Sequence, residues 1–453
     1  MSRSVVNAMD ALRHSDIATQ LDWLAADGSS LALVDAYLSA IEASGLNAYI
    51  SVDAKRSRAQ AQASDAHRAQ HGPRPLEGIA IAVKDNIDIA GWRTTAGMAT
   101  RRERRPADDD AECVARLRAA GAVFLGKLNM HEAALGADCN NPHYGACQHP
   151  QRAGYTPGGS SGGSGAAVAA GLCSAALGSD SMGSIRIPAS YCGAFGLKPS
   201  FGAVSPRGSV VVSRRLDHIG PLTRSAADLD RLLAVIAGYD SDSAQSRPFS
   251  FSSASNNVLR IGVPALDGIE ISAEVSAACV AAQRQLDALG HVCIALPPSE
   301  LAAGVARRAG LLVCEADMLV EHADDWAQRP QDFSPALAKM LRWAQARSAA
   351  DLAAADLQLD AARLQLQRWL ASCDLLVWPT TPQRAFAFSE PTPSNQADLT
   401  CFANMAGFPA LSLPLPVAKG ALPIGLQLIG PLGSDRALIA LAAALSQCWG
   451  APS

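Results

Sequence analysis

The run Gly78-Ile79-Ala80-Ile81-Ala82-Val83 is apolar at every position and stops abruptly on Lys84-Asp85-Asn86. A segment with no polar face has to be covered on both sides, which is the environment of a strand buried inside a helix-covered sheet. Further apolar runs at 122–125, 259–264, 292–296, 374–378, 410–415 and 424–429 read as strands of the same kind. Helical patterns lie between them, after Asp108-Asp109-Asp110 and over 225–238, 272–289, 335–371 and 434–448. Residues 16 to about 70 also read as helical, with Ser15 or Asp16 and then Ser29-Ser30 as caps. Alternation of this kind predicts a layered α/β domain with helices on both faces.

At about 150 residues per domain, 453 residues would make two or three domains. No repeat is present, and no linker is longer than the polar stretch Ser241 to Asn257, so one large domain is expected. A chain that is 49% hydrophobic and 18% charged is not disordered, fibrous or a coiled coil. With 38 Lys+Arg against 42 Asp+Glu it is not built as a nucleic-acid binder. Its 11 cysteines contain no Cys-x-x-Cys pair, and several lie in apolar segments, as in a reducing compartment. No apolar core follows Met1-Ser2-Arg3-Ser4, and the weakly polar stretch Gly165 to Gly178 is too short to span a bilayer. A cytoplasmic protein without membrane contact is the expectation.

The centre of the chain carries two serine-rich segments, Thr156-Pro157-Gly158-Gly159-Ser160-Ser161-Gly162-Gly163-Ser164-Gly165 and Gly178-Ser179-Asp180-Ser181-Met182-Gly183-Ser184-Ile185-Arg186-Ile187-Pro188-Ala189. A flexible linker is the ordinary reading of Gly/Ser runs, but apolar structured segments flank these on both sides. A phosphate-binding loop fails because no lysine occurs from 128 to 197. Gly158-Gly159-Ser160-Ser161-Gly162 has the spacing of a nucleophile elbow, yet it follows a loop rather than a strand. What is left is a serine nucleophile not served by histidine. Ser184 sits in a turn whose backbone N–H groups, from Ser181, Met182, Gly183 and Ser184 itself, form a candidate oxyanion hole. Lys84, at the end of a buried strand, would have its pKa lowered by lost solvation and so act as a base; otherwise it is an ordinary strand-end lysine. A second serine would relay the proton between them.

Together these residues resemble the amidase signature family, whose pattern joins a strand ending on lysine, a Gly-Gly-Ser-Ser-Gly-Gly loop and a Gly-Ser-Ile-Arg turn. Ser184 follows Ser160 by 24 positions, as in that pattern. Further matches are Lys127 to Glu132, Cys192-Gly193, Gly196 to Pro199, Leu216 to Pro221, Pro379 to Pro382 and Pro423 to Gly430. The resemblance implies a single domain over 1–453, with a mixed, mostly parallel twisted β-sheet sandwiched between α-helices. It would comprise a helical region at 1–70, a catalytic core at 75–240 and a helical subregion at 300–371. It implies a Ser–cis-Ser–Lys triad: Ser184 as acyl nucleophile, Ser160 (after a cis peptide from Gly159) as relay, Lys84 as base and then acid. Ser161 would support Lys84 by hydrogen bonding, Asp180 and Arg186 would brace the turn, and no metal or cofactor is needed.

Two positions depart from the family pattern. Met182 stands where Gly, Asn or Asp is usual, which implies an altered acyl pocket. Arg214-Arg215 precedes Leu216-Asp217 where relatives carry a serine, so Arg215 is either solvated or reaches the pocket to bind an acidic substrate. Local text at 141–145, 179–180, 199–202, 207–209 and 329–333 is most similar to the carboxybiuret hydrolase group, which cleaves a small urea-derived amide. That likeness makes Tyr144 and Arg329 candidate pocket walls and implies a homodimer, to which a small helical partner protein would be added. The leading expectation is hydrolysis of a small C–N amide. The alternatives are the amidase component of a glutamyl-tRNA amidotransferase, passing ammonia to a partner, and a catalytically altered binding protein.

Overall fold

The computed structural model describes residues 3–252 and 258–449; Met1-Ser2 and the end of the polar stretch closing at Asn257 lie outside the described residues. In chain order the strands are β1 Tyr49–Val52, β2 Ala80–Lys84, β3 Val123–Leu128, β4 Asn140–Asn141, β5 Gly145–Ala146, β6 Ala175–Asp180 and β7 Phe195–Lys198. They continue with β8 His218–Thr223, β9 Arg260–Pro264, β10 Val292–Leu296, β11 Leu375–Pro379, β12 Ala410–Pro414 and β13 Gly425–Ile429. Eleven of them form one sheet in the order β1-β3-β2-β6-β8-β7-β12-β13-β11-β9-β10, and β4 pairs with β5 alone.

The sheet is mixed and helix-covered, as an α/β chain requires, but its parallel share is smaller than expected. Only β2 with β3 and β6, and β9 with β10 and β11, run parallel; the other six pairings are antiparallel. Two of the six follow from connectivity. No helix lies between β7 and β8 or between β12 and β13, and adjacent strands joined without a crossover must run antiparallel.

Each apolar run read as a strand is one. Strands β1, β6, β7 and β8 carry no such run: β6 reads Ala-Ala-Leu-Gly-Ser-Asp, and β8 holds Pro221 inside an interior strand. The burial of β6, β7 and β8 comes from position between neighbours and not from side-chain size, whereas β1 is a half-exposed edge strand inside the stretch read as helical. Asp16 and Ser29 cap the helices Ile17–Ala26 and Ser30–Ala43 by accepting from the N–H of Thr19 and Ala32. The stretch 335–371 is two helices, Pro335–Gln345 and Ala349–Leu370, split where Ser348 and Asp351 form a capping box.

One core cluster packs the sheet against the N-terminal helices and the helices Ala226–Ile236 and Asp435–Trp449. A second lies beneath the helices of 303–370 and Cys401–Ala406 and includes Met182 and Leu216. The serine-rich turn thus lies where the two cores meet. Among the described residues no helix is long and apolar enough to cross a membrane.

Candidate active site

Parallel pairing of β2 with β6 sets Val83 beside Leu177, so the carboxyl ends of both strands open at one place. Lys84 closes β2 and is fully buried. Its Nζ donates to Ser160 Oγ at 2.7 Å and to Ser179 Oγ at 2.8 Å. Removal from water disfavours the ammonium and lowers its pKa from 10.5 to about 7, against the opposing pull of nearby groups that include Asp180 and Asp217. Asn86 Nδ2 donates to the same Ser179 Oγ at 3.1 Å.

Ser179 is the residue that sequence reasoning missed. No sequence pattern marked it: its place beside Lys84 follows from the pairing of β2 with β6. Ser161 does not bond Lys84 as expected. Its hydroxyl donates to the Ser179 carbonyl at 3.1 Å, so its support is indirect, because Ser179 already occupies the space beside the ammonium.

The peptide between Gly159 and Ser160 is cis. Beyond it, Ser160 O accepts from the His131 N–H at 3.1 Å, and the Ser161 N–H donates to Ser184 O at 3.2 Å, tying the two serine turns together. The helix Gly162–Ala169 then packs close: a Cβ on Gly163 would lie 2.4 Å from Asn129 O and 2.5 Å from Ala48 O.

The second turn is built on Asp180. Its carboxylate accepts from the N–H of Gly183 at 2.6 Å and of Ile185 at 3.1 Å, and pairs with Arg186 Nη2 at 2.9 Å. Burial alone would raise this carboxyl, but the Arg186 guanidinium outweighs it and holds the group well below the usual range. Arg186, itself fully buried, also donates to Thr400 O and Gln427 Oε1. Of the four N–H groups read as an oxyanion hole, Gly183's is therefore taken by Asp180, which is a correction. Those of Ser181, Met182 and Ser184 have no acceptor among the described residues. Between 171 and 192 only Ser184 is not buried.

Each of the expected substrate-binding residues has partners within the protein. Met182 packs in the second core, where a Cβ on Gly310 would be 3.0 Å from its Cε. Arg215 is held by Asp356 and Asp360 of the helix Ala349–Leu370 and is not free for an acidic substrate. Arg329 pairs with Asp325 at 2.6 Å and donates to Thr100 O. Tyr144 lies under the Arg102 guanidinium, 5.1 Å from its ring centre. None of these four side chains is hydrogen-bonded to Lys84, Ser160, Ser179 or Ser184. No group of three or more His, Cys, Asp or Glu arranged for a metal ion occurs among the described residues.

The family model described as Amidase matches residues 32–439. A glutamyl-tRNA(Gln) amidotransferase subunit of Bordetella avium (strain 197N) is 36% identical, covering 91% of each chain. The corresponding protein of Anaeromyxobacter sp. (strain K) is 38% identical over 92% of this chain and 93% of its own. A solved structure, described as a vestigial protein complex that reveals the evolutionary origins of an s-triazine catabolic enzyme, superposes with a TM-score of 0.88 at 32% identity. It covers 97% of this chain and 99% of its own. A match over nearly the whole length, and not over the serine turns alone, makes the chain a member of the amidase signature family, hydrolases of C–N amide bonds.

Proposed function

We propose that Ser184 is the acyl nucleophile, Ser160 the proton relay and Lys84 the base of a hydrolase of small amides. The observation that carries this reading is the buried Lys84 amine, with a pKa of about 7, bonded at 2.7 Å to Ser160 beside the one accessible serine of the second turn. Ser184 Oγ attacks the amide carbon, and its proton passes through Ser160 to neutral Lys84. The N–H groups of Ser181, Met182 and Ser184 hold the oxyanion. Collapse breaks the C–N bond as Lys84 returns the proton to the leaving nitrogen, and water then cleaves the acyl-enzyme by the same route. No step needs a metal. Lys84 must be neutral for attack, so activity rises with pH through about 7.

For the substrate, relatives that are amidotransferase components over nine-tenths of their length support release of ammonia from glutamine by a chain that works with a partner. The s-triazine neighbour favours the second reading, a small urea-derived amide, and, being a complex, it also supports a partner protein. Ammonia release from glutamine and from a panel of ureides, by wild type and Ser184→Ala, tests both. Activity on glutamine that depends on a co-purifying partner supports the first, and activity confined to ureides the second. Equal activity in wild type and Ser184→Ala overturns the triad itself. The expected loss is at least several hundred-fold, roughly the scale of removing one member of a catalytic unit.

A further inference from the structure

Asp217 is bonded to the nucleophile turn through Ser181, and the mechanism above gives it no part. Its Oδ1 accepts from Ser181 Oγ at 2.6 Å and from the Ser213 N–H at 3.0 Å, and its Oδ2 accepts from the Val212 N–H at 2.8 Å. Leu216 and His218 on either side are buried, whereas Asp217 is half-buried. The charged and titratable groups facing it are Lys84 from β2 and Cys314 from the helix Ala303–Glu321, with Asp180 at the end of β6 acting on the same lysine.

We infer that Asp217 is a positioning residue: through Ser181 it fixes the turn whose N–H groups face the reacting carbonyl. The inference rests on the triad reading. Burial raises the Asp217 carboxyl to about 6, while its attraction raises the affinity of Lys84 for a proton, so the two groups are linked near neutrality. Removing the carboxylate therefore moves neutralisation of Lys84 to lower pH, which a purely structural corner would not do.

The probe is a fluorophosphonate, which needs no knowledge of the substrate: Ser184 Oγ forms a bond to phosphorus, fluoride leaves, and the serine proton goes to Lys84 through Ser160. Labelling rates are measured against pH for wild type, Asp217→Asn, Ser181→Ala and Ser184→Ala, each checked for folding by circular dichroism. Asp217→Asn is expected to label at least tenfold more slowly with its midpoint shifted to lower pH. Ser181→Ala is expected to label more slowly with its midpoint unmoved. An Asp217→Asn profile that overlays wild type overturns the inference while leaving the triad intact. Should Asp217→Asn fail to fold, Ser181→Ala decides, and a wild-type rate there overturns the inference. Full labelling of Ser184→Ala would instead overturn the triad reading beneath it.

Discussion

Burial acts on Lys84 twice, making it a usable base and making the folded state carry a cost. Its folded pKa is depressed from 10.5 to about 7, so between those values the unfolded chain binds a proton that the folded chain does not. The stability contributed by this group thus rises with pH across that window, and the cost is complete below about 7. Lys84→Met removes the effect. Urea unfolding should show the variant gaining on wild type as pH falls from about 10 to about 7, while its activity is lost. An equal difference at both ends would contradict the depressed pKa. Arg186 has the opposite sense. Truncating it to alanine leaves Asp180 charged and buried, which costs about 3–5 kcal/mol, readable as a lowered urea midpoint. What was legible at this scale was chemistry tied to strand ends and glycine-flanked serines. Ser179 was not, because a serine next to the end of a strand of Ala, Leu and Gly has no pattern of its own until β2 is known to lie beside it.

At the scale of elements, the turn from Asp180 to Ser184 is held by packing against Thr400 as much as by its own bonds. Gly183 has φ +136°, and a Cβ there would lie 2.2 Å from Thr400 Oγ1. Gly183→Ala therefore combines a disfavoured backbone with a clash. It should lower stability by roughly 1–3 kcal/mol and labelling of Ser184 by at least tenfold, checked by thermal melting and by fluorophosphonate rate. Long apolar runs revealed β2, β3 and the strands from β9 onward, including the edge strand β10, which is only partly buried. Strands β6 to β8 include small residues where neighbouring segments sit close. A Cβ on Gly178 would be 2.9 Å from Ser161 Oγ, so the close approach that builds the site also erased its strand signal. Met182 and Arg215 show the same limit: a residue's identity settles its chemistry but not whether it points to the site, the core or a neighbouring helix.

For the whole molecule, residues far apart in the chain meet because β2 and β6 are parallel neighbours in an eleven-stranded sheet. The layered α/β class was readable from alternation alone. The antiparallel centre was not, since it depends on which distant strands pair as well as on two connections that lack a helix. The most direct measurement is to map, by mass spectrometry, where a fluorophosphonate reacts with the folded protein. The account predicts a single adduct on Ser184 in wild type, formed at least about a hundredfold more slowly in Lys84→Met and Ser160→Ala. An adduct on another residue, or labelling of Ser184 that does not depend on Lys84 and Ser160, would contradict it.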